Sequence, residues 1–311
     1  MTAAFIALLP VFIVILVGFG LRKSELIGES HWAAVDHVCY FVLFPAIFFK
    51  EIVAADFSGI PLFGMALAMM LAVVTMSAVL LILRRPLSVV LAVDGPQFSS
   101  FFQGATRWHT FIAFAIILIY FGPSGLALGA VSAAAMTPLL NVICVIVISM
   151  LVSGRSPDTQ TIILPIVKNP FIISTAGGVL WKVLSLPTPA MGIQVLDMIG
   201  KGALGLALLT VGAGLRIDEA ISTKAPVLAA TVLKLLVMPV FMAFWLKTLG
   251  ITGQAAAVAM LCAAVPTGSG AYILARQMGG DAPLIANILT LQVICAAITI
   301  PLVLWLFGAI G

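Results

Sequence analysis

"AAVPTGSGAYILARQMGGD", residues 263–281, interrupts a chain that is otherwise almost entirely apolar. Pro266, Thr267, Gly268, Ser269 and Gly270 in succession would form a loop in water. Here an apolar run lies on each side, and neither is long enough to cross a bilayer alone. Ala255 to Val265 is 11 residues. At 1.5 Å per residue they make about 16 Å of helix, roughly half of a hydrocarbon core. Pro266 cannot continue the backbone ladder, and Gly268 and Gly270 permit an unwound turn. A second half-helix can then start near Ser269, with Thr267 or Ser269 as its N-cap. Its free N–H groups and dipole would favour an anion at that point. The other reading of the same residues is a simple proline kink that helps helices pack.

The surrounding composition fixes the solvent. Of 311 residues, 63% are hydrophobic and 8% charged, with a mean hydropathy of +1.26. Soluble domains carry about 25% charged residues, so this chain has too few to cover a water-facing surface. It reads as an integral membrane protein in a lipid bilayer. Backbone groups in lipid must be satisfied internally, which leaves helices or a closed barrel. The apolar runs are continuous rather than alternating, so the fold class is all-α. Cys39, Cys144, Cys262 and Cys295 lie inside apolar runs without metal-ligand spacing. They read as small packing residues, with no metal and no cofactor expected. The net charge of +4 needs no nucleic acid, because cytoplasmic loops of membrane proteins are basic. Residues 3–20 read as a retained span, since no cleavage site closes them.

Apolar runs fall at 3–20, 36–54, 60–83, 98–120, 124–152, 164–182, 190–214, 226–247, 253–277 and 282–308. They predict ten transmembrane helices. The polar stretch "SGRSPDTQT" (153–161) divides them into a first five-helix repeat (1–152), a cytoplasmic linker (153–163) and a second repeat (164–311). "LLPVFIVILVGFGL" (8–21) is similar to "KNPFIISTAGGVL" (168–180), and "NVICVIVI" (141–148) to "QVICAAIT" (292–299), the latter pair offset by 151 residues. Five spans per half forces the second copy to insert upside down, the inverted repeat of many secondary transporters. Arg22, Lys23, Arg84, Arg85, Arg155, Lys168, Arg216, Lys224 and Arg276 follow odd spans, whereas Lys50, Lys182 and Lys247 follow even ones. That asymmetry puts the odd connections in the cytoplasm and both termini in the periplasm.

By the 151-residue offset, the counterpart of the opening stretch is "QGATRWHTFIAF" (103–114), with Ala115 opposite Pro266. It has no proline, so a break there must rest on Gly104 and the polar side chains. Gln103, Thr106, Arg107 and Thr110 follow i, i+3, i+4, i+7 and predict one polar stripe. An intramembrane arginine is costly and is a functional candidate by default; the alternative is snorkelling to the cytoplasmic surface. His109 can carry a proton near neutral pH, although a neutral, hydrogen-bonded histidine is the commoner case. Asp197 and Lys201 form an i, i+4 pair, read as structural charge compensation. Lys234 lies eight residues into its span, within reach of a carbonyl or a helix end. Asn141 and Gln292, at positions matched by the offset, either hold the broken segments or act as packing glue. No HExxH, GxGD or Ser–His arrangement appears, so an enzyme is not expected.

"LLPVFIVILVGFGLRKSELI", "YFVLFPAIFF", "FFQGATRWHTFIAFAI", "LALLTVGAGL", "LKLLVMP" and "AAVPTGSGAYILARQMGGD" together resemble the auxin efflux carrier family. The likeness is to its bacterial members, which include malonate and malate carriers, and it runs in order over nearly the whole chain. The resemblance implies a fold similar to the bile acid–sodium symporters: two inverted five-helix repeats with unwound helices 4 and 9 crossing at the midplane. Plant members carry a long loop after span 5; this chain has a short one. The family's span 4 pattern is like R-[FW]-N-T, and here His109 stands where the asparagine would. Thr267, Ser269 and Gly270 fall where the family's span 9 crossover follows its proline, Pro266.

The function expected is secondary transport of a small mono- or dicarboxylate across a bacterial cytoplasmic membrane by alternating access. Spans 1, 2, 6 and 7 would form the scaffold or gate, and spans 3–5 and 8–10 would carry the site. The substrate-binding candidates are Gln103, Arg107, His109, Thr110, Pro266, Thr267, Ser269 and Gly270. Asn141, Gln292, Asp197, Lys201 and Lys234 support them. An anion channel or uniporter on the same fold is the alternative. H+ is a candidate coupling ion, because neither crossover carries an Asp or Glu to hold Na+. A homodimer is one open assembly.

Overall fold

The computed structural model describes residues 2–154, 157–217 and 225–307. Among these residues every regular element is a helix. Helix α1 (Thr2–Lys23) leads to α2 (Glu29–Val38), which passes through a π turn (Cys39–Leu43) into α3 (Phe44–Ala54). Then come α4 (Leu62–Ile82), α5 (Arg84–Leu91), α6 (Gly95–Thr106) and α7 (Thr110–Ile148). Another π turn (Ser149–Ser153) closes α7. The second half holds α8 (Thr159–Val167), α9 (Pro170–Val183), α10 (Ala190–Gly200), α11 (Ala203–Ala213), α12 (Ala225–Val232) and α13 (Met238–Thr248). A π turn (Leu233–Val237) links the last two. Helices α14 (Gly253–Ala264), α15 (Gly270–Met278) and α16 (Ala282–Leu306) complete it.

Six of the described helical stretches are long and apolar enough to cross a membrane: Ser30–Ala54, Leu62–Ile82, Gly95–Ser153, Ala190–Ala213, Ala225–Thr248 and Ala282–Leu306. The all-α class and the membrane assignment follow. Within the long stretch, Gly122 (φ 62, ψ −159) leaves the helical region and splits α7 into two arms. A side chain at that φ would be strained, so glycine is the residue that permits the reversal.

Local chemistry sets the boundaries. Asp94 opens α6 with a capping box: its Oδ1 accepts from the Gln97 N–H at 2.9 Å, and the Asp94 N–H donates to Gln97 Oε1 at 3.1 Å. Pro96 follows in the first turn, where its missing N–H costs nothing. Asp281 caps α16 by accepting from Leu284 N at 2.8 Å. Asn169 caps α9 by accepting from Phe171 N at 2.9 Å. That cap corrects the expected span at 164–182: α8 and α9 are separate helices, broken at Lys168–Asn169. The expected loop at 153–161 is also partly helical, because α8 begins at Thr159. Arg155, Lys224 and the termini at Met1 and Gly311 lie outside the described residues.

The helices pack in reciprocal pairs. Helix α1 lies on α11 and α3 on α9; α4 lies on the long α7 and α12 on α16; α6 lies on α16 and α14 on α7; α4 lies on α14 and α6 on α12. The α1–α11 approach depends on glycine. A Cβ on Gly212 would sit 1.8 Å from the Ile15 carbonyl oxygen, and one on Gly18 would sit 2.1 Å from that of Leu209. Small residues let backbones meet where lipid supplies no hydrophobic drive between helices. A second layer of contact is aromatic. Phe44 stacks on Phe111 at 4.8 Å, and Phe48, Phe114 and Phe171 close around them. These rings seal α3 against the first arm of α7 and against α9.

Candidate functional site

Two helix breaks meet at the centre of the bundle. Helix α6 and helix α14 each run 12 residues. Each ends on a residue that turns extended: Arg107 (φ −74, ψ 165) and Val265 (φ −71, ψ 153). Arg107–His109 and Val265–Ser269 are the non-helical segments. The Pro266 stretch is therefore a true discontinuity rather than a kink.

The break in the first half differs from the expectation in place and cause. Gly104 is still helical. A Cβ there would lie 2.7 Å from Ile288 Cγ2, so this glycine serves the close approach of α16. The two C-caps are 158 residues apart in sequence, not 151. Pro10 and Pro170, from the first pair of similar segments, are 160 apart and agree with this spacing. The "NVICVIVI" and "QVICAAIT" likeness does not, so Asn141 and Gln292 are not matched positions. Short apolar strings coincide because few residue types compose them. Nor do Gln103, Thr106, Arg107 and Thr110 share one helix face, since the helix ends at Thr106.

The segments are stitched across each other. Thr267 Oγ1 donates to the Gly104 carbonyl at 2.7 Å, and Thr267 N–H donates to Gln292 Oε1 at 2.8 Å. Gln292 Nε2 donates to the same Gly104 carbonyl at 2.8 Å. Lys234, fully buried, donates to the Ala263 carbonyl at 2.7 Å. That carbonyl is one of the last four of α14, which have no intrahelical partner. A cation at a helix C-terminus also suits the dipole. Gly268 lies where a Cβ would be 2.8 Å from the Trp108 carbonyl oxygen. Thr267, Gln292 and Lys234 thus hold the crossing, and Pro266 is buried inside it.

Beside the crossing is a cavity of about 320 Å³, within the size range of small-molecule sites. Of the expected site residues, Arg107, His109, Thr110, Ser269, Gly270 and Asn141 line it. Gln103, Pro266, Thr267, Gln292, Lys234, Asp197 and Lys201 do not. Gln103 is fully buried with both amide atoms unpaired, and nothing in the structure explains it. Asp197 pairs with Lys201 at 3.1 Å and with Lys50 at 2.6 Å, and Lys50 also meets Glu51 at 3.0 Å. That cluster joins α3 to α10, away from the cavity. Asp36, His37 and Tyr40 from the α2 side, and Thr137 from α7, line the cavity unforeseen.

Arg107 dominates the electrostatics. Its Nη2 donates to Asn141 Oδ1 at 2.8 Å, while Nη1 is buried without a partner. The Thr137 hydroxyl is buried and unpaired as well. Gly270 opens α15 so close that a Cβ would lie 3.6 Å from Arg107 Nη2. Ser269 occupies the N-cap position but makes no side-chain cap bond. The Ala271 and Tyr272 N–H groups bond back to the Gly268 and Ser269 carbonyls at 3.0 Å, so what α15 offers the cavity is the positive end of its dipole. A full cation, a helix N-terminus and two unsatisfied donors share one polar space. The guanidinium and the helix start disfavour each other's positive charge, and Asp36 is the one acid on the same lining.

Residues 155–304, the second half of the chain, match the family model described as membrane transport protein, the family of the auxin efflux carriers. No curated protein matches the chain. With its apolar helices and that match, the chain reads as a membrane transporter whose second half is similar to the membrane transport protein (auxin efflux carrier) family.

Proposed function

We propose that the protein is a secondary carrier of a small organic anion, a mono- or dicarboxylate, working by alternating access across a bacterial cytoplasmic membrane. The observation that carries this reading is Arg107: a half-buried guanidinium whose buried Nη1 is unpaired, facing a cavity beside a helix start. Leaving a charged donor without a partner in a dry site is costly, and a carboxylate answers the guanidinium fork in a bidentate way.

The packing supports ten spans in two inverted repeats. Helix α1 on α11 mirrors α9 on α3, and α6 on α16 mirrors α14 on α7. It also supports two bodies. Spans 1, 2, 6 and 7 are α1, α2–α3, α9 and α10–α11; the rest carry the broken helices, and the cavity lies between the two groups. The closed aromatic cluster of Phe44, Phe48, Phe111, Phe114 and Phe171 favours a carrier over an anion channel, since a channel needs a continuous path.

Arg107→Lys keeps the charge and loses the fork. It should weaken binding of a carboxylate such as malonate by about 1.5–3 kcal/mol, the range for hydrogen bonds to charged groups. Uptake of labelled malonate into liposomes would fall in parallel, and Arg107→Ala should abolish it in a protein that still extracts folded. Transport by Arg107→Lys at the parental rate would remove Arg107 from the site. Saturable exchange of internal for external label is the carrier's signature; unitary currents would instead establish the channel.

A further inference from the structure

Asp36 is the one carboxylate among the residues that line the cavity with Arg107. Resting on the organic-anion reading above, we propose that Asp36 is the proton-binding group of the site, so that one proton enters the cavity with each substrate anion bound. The argument is one of charge in a confined space. Across the empty cavity the Arg107 guanidinium and the Asp36 carboxylate sum to no net charge, though they do not form an ion pair. A substrate carboxylate at Arg107 adds a second negative charge to a region of low dielectric, where like charges repel strongly. A proton transferred from bulk hydronium to an Asp36 oxygen leaves water behind and offsets one unit of the added negative charge. Release of the anion on the other side of the membrane reverses the balance, and the proton leaves with it. Linkage makes the coupling reciprocal: the anion raises the affinity for the proton as the proton does for the anion.

The surroundings suit a carboxyl that alternates between its two forms. Asp36 is half-buried near the end of α2, one turn before Tyr40. Its charged or titratable neighbours are His37 on its own helix and Cys39 and Tyr40 on the π turn, with Arg107 and His109 of the α6–α7 break on the same cavity lining. Helix α11, packed against α2, presents no charge and places Thr210 beside Asp36. The Thr210 hydroxyl donates to the Ala207 carbonyl at 2.8 Å, so its lone pairs can accept from a protonated carboxyl. His109 is the poorer proton acceptor, because it is buried beside Phe111 and its protonation would set a second cation next to Arg107.

The test is calorimetric titration of malonate into the purified full-length protein, in buffers of different ionisation enthalpy at one pH. The parent should take up about one proton per malonate, as the linkage requires. Asp36→Asn should bind malonate with no proton uptake, and Asp36→Glu, which keeps a titratable oxygen, should restore uptake. Malonate binding by the parent without uptake would overturn the proposal, as would unchanged uptake in Asp36→Asn. So would loss of uptake in His37→Gln or His109→Gln while Asp36→Asn retains it. Failure of the parent to bind malonate or any other small carboxylate would be a different result: it would overturn the anion reading, and this inference with it.

Discussion

At the scale of single residues, the crossing is governed by how closely two backbones approach. Gly268 is the sharpest case, since a Cβ there meets a backbone oxygen, Trp108 O, at 2.8 Å. Gly268→Ala should therefore destabilise the protein by about 1–3 kcal/mol, the usual cost of overpacking, read as a lower melting temperature in detergent. Gly205→Ala is the control, because nothing lies within 4 Å of a Cβ at that helical position; there alanine should be neutral or mildly stabilising. Equal shifts in the two variants would remove the close approach as the reason for Gly268. Arg107, His109, Thr110, Ser269 and Gly270 were legible because a polar residue inside an apolar span stands out. Asp36 and His37 were not, since charged residues are ordinary near a helix end. Their place in the cavity depends on how α11 holds α2 across from the breaks, which one span's sequence does not record.

At the scale of the element, the two broken helices are the same device built by different means. The α14–α15 break is written locally: Pro266 removes a donor, and Gly268 lets the segment cross against the Trp108 carbonyl. The α6–α7 break has neither residue at Arg107–His109 and is held from outside, by Thr267 Oγ1 on the Gly104 carbonyl and by Gln292 on the same oxygen. That is why the first break was legible and the second was misplaced. Lys234 sits between these cases. Its reach to a carbonyl was foreseeable from its depth, but Ala263 as the partner follows only from packing. Pro266→Ala returns an amide to the ladder and should let α14 extend toward α15, withdrawing the helix start from Arg107. Binding of malonate should weaken at least about tenfold, or roughly 1.4 kcal/mol, in a protein that still extracts folded. Unaltered malonate uptake by Pro266→Ala would show that the proline is dispensable for the site.

At the scale of the whole molecule, the question is which face of the bundle meets the cytoplasm. Arg22, Lys23, Arg84, Arg85, Lys168, Arg216 and Arg276 cluster at the connections after odd spans, and Lys50, Lys182 and Lys247 at the others. Positive charge near span ends is retained on the cytoplasmic side, so α5 should face inward and the turn before α14 outward. Lys50 and Lys182 are also held on their own side, by Asp197 and by the Ala55 carbonyl. The cavity is lined by Asp36 and His37 of α2, Ile273 of α15, and Thr137 and Asn141 of the second arm of α7; the α2 and α15 residues lie toward the connections after odd spans. If the charge rule holds, the cavity should open inward and the aromatic cluster should lie on its outer side. Single cysteines test it, because Cys39, Cys144 and Cys262 are buried and Cys295 is half-buried, which keeps the parent a low blank for a membrane-impermeant maleimide. Arg85→Cys, on the exposed surface of α5, should label only after the cells are permeabilised. Thr252→Cys, exposed at the start of α14, should label in intact cells. The reverse pattern would invert the molecule and make the cavity outward-open. Labelling of both in intact cells would put the connections after spans 3 and 8 on one side, and five spans per repeat could not stand.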